Sequence, residues 1–253
     1  MAIILHQFRG SHFNEKARWA LLHKGVAHAR RSYLPGPHRM AMRRLSGQSQ
    51  TPVLDLDGVI VAGSTPILEA LDARFPERPP LFPKDASARS EAEEIMRRFD
   101  AEVGPATRTA AFSVFIHELD YIVRFFAGDK PLATRLSYRA ALPLVRGLMA
   151  RVNGADDAAN IAAAKAVCDR ALDWLAGEVA SKPYLAGDGF SAADLTVAAL
   201  LSPLAEIDHP DVARPPPPRA YTEMLGRWRA HPALHWVREQ YRLHRPAYPG
   251  AAI

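Results

Sequence analysis

The chain has 253 residues, 48% hydrophobic and 23% charged, an ordinary globular balance that fits two modest domains or one large one. No apolar run approaches the ~18 residues of a membrane span, and the three apolar residues between Ala2 and His6 are too few for a signal peptide, so a soluble, cytoplasmic protein with no membrane partner is expected. Net charge is +5, carried by 26 arginines against six lysines, but spacings of three and four residues such as Arg89 to Glu93 and Glu94 to Arg97 point to an ion-paired, solvated surface rather than a nucleic-acid partner.

Residues 3–8 are β-branched and aromatic and stop at Arg9-Gly10, which predicts a short strand. Phe13, Ala17, Ala20, Leu21 and Leu22 keep helical spacing up to Lys24, and Gly25 supplies the stop. Residues 26–34 read as a second strand. Beyond Pro35, Gly36 and Pro37 a short helix is expected over 38–45, followed by a polar turn over 46–50. Asp57-Gly58 between two apolar runs is a hairpin signal for two antiparallel strands. Ser64 opens a helix to about Arg74, with Pro66 in the first turn, where a missing amide hydrogen costs little.

The proline-dense stretch from Pro76 reads as an interdomain linker over 77–88, separating a domain of residues 1–76 from one of 89–253. Everything after it lacks strand alternation. Helices are expected near 88–103, 107–127, 131–152, 157–180, 191–202, 219–230 and 233–243. Four prolines bracketed by Arg214 and Arg219 make a stiff connector.

The order βαβ then αββα, followed by an all-helical half, resembles the cytosolic glutathione transferase superfamily over essentially the whole chain. Four segments carry the resemblance: residues 11–18 after the first strand, Gln50-Thr51-Pro52-Val53-Leu54, residues 63–71 from Gly63 and Ser64, and residues 187–195 in the helical half. The resemblance implies a thioredoxin-like α/β domain followed by an all-α domain, a homodimer, glutathione as co-substrate with no metal, and transfer of glutathione to a small apolar electrophile, a detoxification chemistry.

Each segment has a physical task. Ser11 stands at the entrance of the first helix, where free amide hydrogens and the helix dipole favour negative charge, so its hydroxyl suits a glutathione thiolate, the nucleophilic form. The same hydroxyl also suits a plain helix cap. Asn14, His12 and Arg9 are alternative partners of the sulfur. Thr51-Pro52 matches the family's cis-proline turn, whose preceding residue pairs with the cysteinyl part of glutathione, and Gln50, Gly63, Ser64 and Thr65 complete the expected glutathione-binding set. Ser64, at a helix start, suits the γ-glutamyl carboxylate or serves as an N-cap. Gly63 departs from the acidic residue many relatives carry there. His38, Arg39, Arg43 and Arg44 are candidates for the glycyl carboxylate.

Ser191 and Asp194 form a capping-box pattern with Phe190 and Leu195 at staple positions, a folding motif. Phe112, Phe115, Tyr121, Phe125 and Phe126 make either a core stripe or the wall of the apolar-substrate pocket. Against the enzyme reading stands a non-catalytic glutathione-binding or protein-interaction module on the same fold. Thiol-disulfide exchange needs a cysteine near position 11, and the lone Cys168 lies in the other half. No HExxH or clustered Cys and His set offers a metal site.

Overall fold

The computed structural model describes residues 3–250. The outermost residues of the two expected domains, 1–2 and 251–253, lie outside this range. The first half builds a four-stranded sheet in the order β2-β1-β3-β4. β1 (Ile4–Gln7) runs parallel to β2 (Ala29–Ser32) and antiparallel to β3 (Val53–Leu56), which pairs antiparallel with β4 (Val59–Ala62). The β3–β4 turn has Asp57 at φ 56° and Gly58 at φ 94°, the two positive values that a tight hairpin of this twist requires. The Gly58 amide donates to Asp55 Oδ1 at 2.7 Å.

α1 (His12–His23) and α3 (Ser64–Arg74) pack against each other beside the sheet, while the short α2 (His38–Ser46) sits beside β4. α1 is buried nearly all round, its polar residues Asn14, Glu15, Lys16 and Arg18 included, because its outer face meets the helical half rather than water. That position explains a helix with so little segregation of apolar from polar residues.

The helical half contains α4 (Ala86–Arg98), α5 (Gly104–Phe115), α6 (Leu119–Ala127), α7 (Leu132–Val152), α8 (Ala158–Val179), α9 (Ala192–Leu201), α10 (Arg219–Gly226) and α11 (Pro232–His244). α4 starts inside the expected linker, where Asp85 accepts the Ala88 amide as a cap. α4 passes into α5 through a π-helical turn, Phe99–Val103. The helix expected over 107–127 is instead two helices. α5 ends in tightened turns, with the His117 and Glu118 amides bonding Val114 and Phe115 carbonyls, and no glycine or proline marks the break.

α9 is buried along its whole length at the centre of the molecule. Its start carries the expected capping box, with Asp194 accepting from the Ser191 amide at 2.9 Å. One continuous apolar cluster runs through both halves, from Leu5, Trp19 and Leu68 through Phe99 to Leu195, Trp228 and Val237. α7 is peripheral, packs mainly on α6, and leaves Leu132, Leu136, Leu144, Leu148 and Val152 exposed.

Candidate functional site

The β1–α1 loop delivers Ser11 to the N-terminus of α1, with the extended backbone of an N-cap. Its Oγ accepts the Asn14 amide at 3.4 Å, so the capping role is present. The bond is long, and one more donor or acceptor fits the hydroxyl. Asn14 links this turn to the next segment: its buried Nδ2 donates to Oγ1 of the part-exposed Thr51 at 3.1 Å. The Thr51-Pro52 bond is cis. Pro52 carbonyl accepts the Gly63 amide at 3.0 Å, while the Thr51 backbone N–H and C=O bond to none of the described residues. An extended peptide laid along Thr51 would find both groups free. Gln50 is exposed, its backbone held by Gln48.

Gly63, not Ser64, is the N-cap of α3, and Ser64 is the first helical residue. The N-cap alternative for Ser64 is thereby corrected. Gly63 has φ 102° and ψ 148°, a region essentially closed to other residues. Glycine meets this backbone without strain, where an acidic side chain would be strained. The Ser64 hydroxyl is nearly buried and makes no hydrogen bond to the described residues, beside the unpaired first amides of α3. Thr65 turns elsewhere. Its Oγ1 receives Lys16 Nζ at 2.6 Å and donates to Asp100 Oδ2 at 2.5 Å, so its side chain locks α1, α3 and the π-turn together and leaves only its backbone for a ligand.

One of the alternative partners of the sulfur, His12, is otherwise engaged. His12 is buried and its Nε2 donates to Gly104 carbonyl at 2.9 Å. Burial first, and then the charges of Arg108 and Arg214, push its pKa down to about 3, which keeps the ring neutral. Asn14 donates through Nδ2 to Thr51, but its Oδ1 is buried without a hydrogen-bond partner among the described residues, so it is only half engaged. Arg9 is exposed and makes no ion pair with the described residues. Arg39, Arg43 and Arg44 lie exposed on or beside α2, and His38 packs edge-on against Phe8.

Beside Ser11 a cavity of about 270 Å³ opens between the two halves. The β1–α1 loop and α1 supply Arg9, Ser11, Glu15 and Arg18, α6 supplies Arg124 and Phe125, and the connector after α9 supplies Val212, Ala213, Arg214 and Pro215. Of the expected site residues, Ser11 alone lines it; Gln50, Thr51, Pro52, Gly63, Ser64 and Thr65 do not. The expected aromatic wall contributes only Phe125. Phe115, Tyr121 and Phe126 are core, and Phe112 packs against it. Phe125 reaches the cavity because residue 10 is glycine: a Cβ there would collide with the ring. Arg124 and Arg214 were not legible as site residues, since Arg214 reads as the opening of a proline spacer and Arg124 as one more surface arginine.

A buried ionic network backs this wall. Glu15 accepts from Arg18 Nε and Arg245 Nε, both at 2.7 Å, Arg245 also bonds Asp211 at 2.7 Å, and Asp211 holds Arg30 at 2.9 Å. Burial pushes the Glu15 carboxyl up, but Arg245 and Arg18 outweigh it and hold the pKa below the usual range. Among the described residues no group of three or more His, Cys, Asp or Glu could hold a metal ion, and no helix is long and apolar enough to cross a membrane.

Residues 5–79 match the family model of the glutathione S-transferase N-terminal domain, and residues 158–235 that of the glutathione S-transferase C-terminal domain. The chain belongs to the glutathione transferase superfamily, with the thioredoxin-like layer and all-helical half of that fold. No curated protein matches it. Among solved structures, it is similar to a glutathione S-transferase from Methylobacillus flagellatus KT with glutathione bound, at 18% identity and TM-score 0.62, over 96% of this chain and 95% of that one. A glutathione S-transferase of Methylobacterium radiotolerans JCM 2831 in complex with glutathione sulfonate gives 18% identity and TM-score 0.63, over 100% and 99%. The β-etherase LigF from Sphingobium sp. strain SYK-6 gives 20% and 0.62, over 95% and 100%. At these identities the likeness is one of fold.

Proposed function

We propose that this protein is a glutathione transferase that binds glutathione across Gln50, Thr51, Pro52, Gly63, Ser64 and Thr65 and activates its thiol at Ser11. The observation that carries the reading is a set of unpaired groups, the free Thr51 backbone and the Ser64 hydroxyl with the first α3 amides, tied through Asn14 to Ser11, which lines the cavity. The cysteinyl backbone pairs with Thr51 as an added strand, and the γ-glutamyl carboxylate meets the α3 N-terminus. Ser11 then donates its hydroxyl to the sulfur, and the α1 dipole adds to the preference for thiolate.

The thiol proton leaves to water when the thiolate forms. The sulfur pair makes a new bond to an electrophilic carbon of a small molecule lodged in the cavity. In a substitution the leaving group departs with the electrons of its broken bond; in an addition the neighbouring atom takes the displaced pair and then a proton from water. On the same reading the protein is a cytoplasmic homodimer with a detoxifying role, and light scattering of the purified chain tests the dimer.

Calorimetric titration with glutathione, paired with a conjugation assay on a generic aryl halide, tests the proposal. Saturable binding and conjugation above the uncatalysed rate are expected. Binding without conjugation to any electrophile leaves the non-catalytic glutathione-binding module, and no binding removes both.

A further inference from the structure

We infer that the cavity beside Ser11 selects a co-substrate carrying an oxyanion, a carboxylate or sulfonate on an otherwise apolar electrophile, and not a wholly apolar one. The inference rests on the transferase reading, because it takes glutathione to occupy the Thr51 and Ser64 side and leaves this cavity to the second substrate.

Four arginines line the cavity, Arg9, Arg18, Arg124 and Arg214, against a single acid, Glu15. Glu15 is already engaged by two guanidiniums, Arg18 and Arg245, and neutralises nothing further. Arg214 is held rigidly but by neutral acceptors: Nη1 bonds Pro203 carbonyl at 3.2 Å and Tyr221 hydroxyl at 3.1 Å, and Nη2 bonds Ser202 carbonyl at 3.3 Å. Its position is fixed while its charge is unmatched. Arg9 and Arg124, both exposed at the cavity, form no ion pair with the described residues. An incoming anion therefore displaces no internal partner, and charge-assisted bonds to guanidinium are the strong ones.

A second observation comes from the same corner. Tyr121 is a core residue whose hydroxyl is buried with no hydrogen-bond partner, and Arg214 and Arg124 both act on it electrostatically. Burial keeps it neutral, so it places no negative charge beside the two arginines, although it does not itself line the cavity. The remaining wall, Phe125, Val212, Ala213 and Pro215, is apolar and suits the body of the molecule. The low-dielectric walls concentrate the arginine field at the site.

The test uses two unreactive isosteres, 4-nitrobenzoate and 4-nitrobenzamide, titrated calorimetrically into the full-length protein with and without saturating glutathione. The acid is expected to bind at least about tenfold more tightly than the amide, additively with glutathione, with a preference that weakens as salt rises. Arg214→Met is expected to remove most of that preference. Arg124→Met, at an exposed position that does not endanger folding, is expected to reduce it several-fold. Equal affinity for acid and amide overturns the inference, as does a preference that neither variant moves. Competition between nitrobenzoate and glutathione also overturns it, by making the arginines part of the glutathione site, and leaves the transferase reading standing. A glutathione arm that shows no binding removes the transferase reading itself.

Discussion

Ser11 performs two tasks with one oxygen: it caps α1 through the Asn14 amide and faces the cavity. A lost hydrogen bond to a charged sulfur costs about 1.5–3 kcal/mol, so Ser11→Ala is expected to slow conjugation about tenfold to a hundredfold while glutathione affinity changes far less. In the pH profile the apparent thiol pKa should rise towards that of the free thiol; an unaltered rate and profile transfers the role to Arg9 or Asn14. Asp194 shows how much of a residue its motif conveys. The spacing to Ser191 made the capping box legible, yet the carboxylate also accepts the Leu185 amide at 2.8 Å and the Ser191 hydroxyl at 2.9 Å, which no local pattern encodes. Asp194→Ala leaves three buried donors unmatched and is expected to cost about 2–4 kcal/mol at neutral pH, measured by denaturant unfolding. Burial outweighs those donors and pushes the Asp194 pKa up to about 6. A folded-state pKa above the unfolded one favours folding at low pH and loses that advantage as pH rises through 6, so the gap between wild type and Asp194→Ala should widen by about 2 kcal/mol from pH 7.5 to 4.5.

At the scale of elements, α1, α3 and the π-turn are joined by Lys16, Thr65 and Asp100. The Lys16 ammonium is fully buried and reaches both Asp100 oxygens, at 2.9 and 2.8 Å. Removing the acid strands a buried cation. Asp100→Ala is therefore expected to destabilise by about 2–4 kcal/mol, the lower end reflecting the partial exposure of Asp100, whereas the double variant Lys16→Met with Asp100→Leu should regain most of it. A double variant no better than Asp100→Ala would count against the argument. The elements themselves were largely legible: the hairpin from Asp57-Gly58, the first helix from its spacing and the stop at Gly25, the helical half from its lack of strand alternation. The break between α5 and α6 was not, because its turn is closed by backbone bonds among residues 112–118 with no breaker in the sequence. Nor was the Thr65 side chain's commitment, which depends on a partner 35 positions away.

For the whole molecule, the seam between the halves is both apolar and ionic. Trp19 donates its indole N–H to His244 carbonyl at 2.9 Å, Glu15 holds Arg245, and Asp211 holds Arg30, contacts that join positions 181 to 230 apart in the chain. Such pairs leave no trace in sequence periodicity, so the two-part division was legible but not how thoroughly the parts share one core. Domains joined by a small polar interface move and melt separately; a continuous apolar cluster argues for the opposite. Denaturant unfolding followed by tryptophan fluorescence and by far-ultraviolet circular dichroism should give coincident transitions. Two separated midpoints would show the halves to be energetically independent.

Cys168 sits fully buried in α8, and burial pushes its pKa up to about 12. The native protein is therefore silent to thiol-reactive dyes, and in a mixture with glutathione every fast-reacting sulfur belongs to the small molecule. The converse gives a clock. Modification of Cys168 requires α8 to part from its neighbours, so the slow labelling rate of the glutathione-free protein reads out how often the helical core opens.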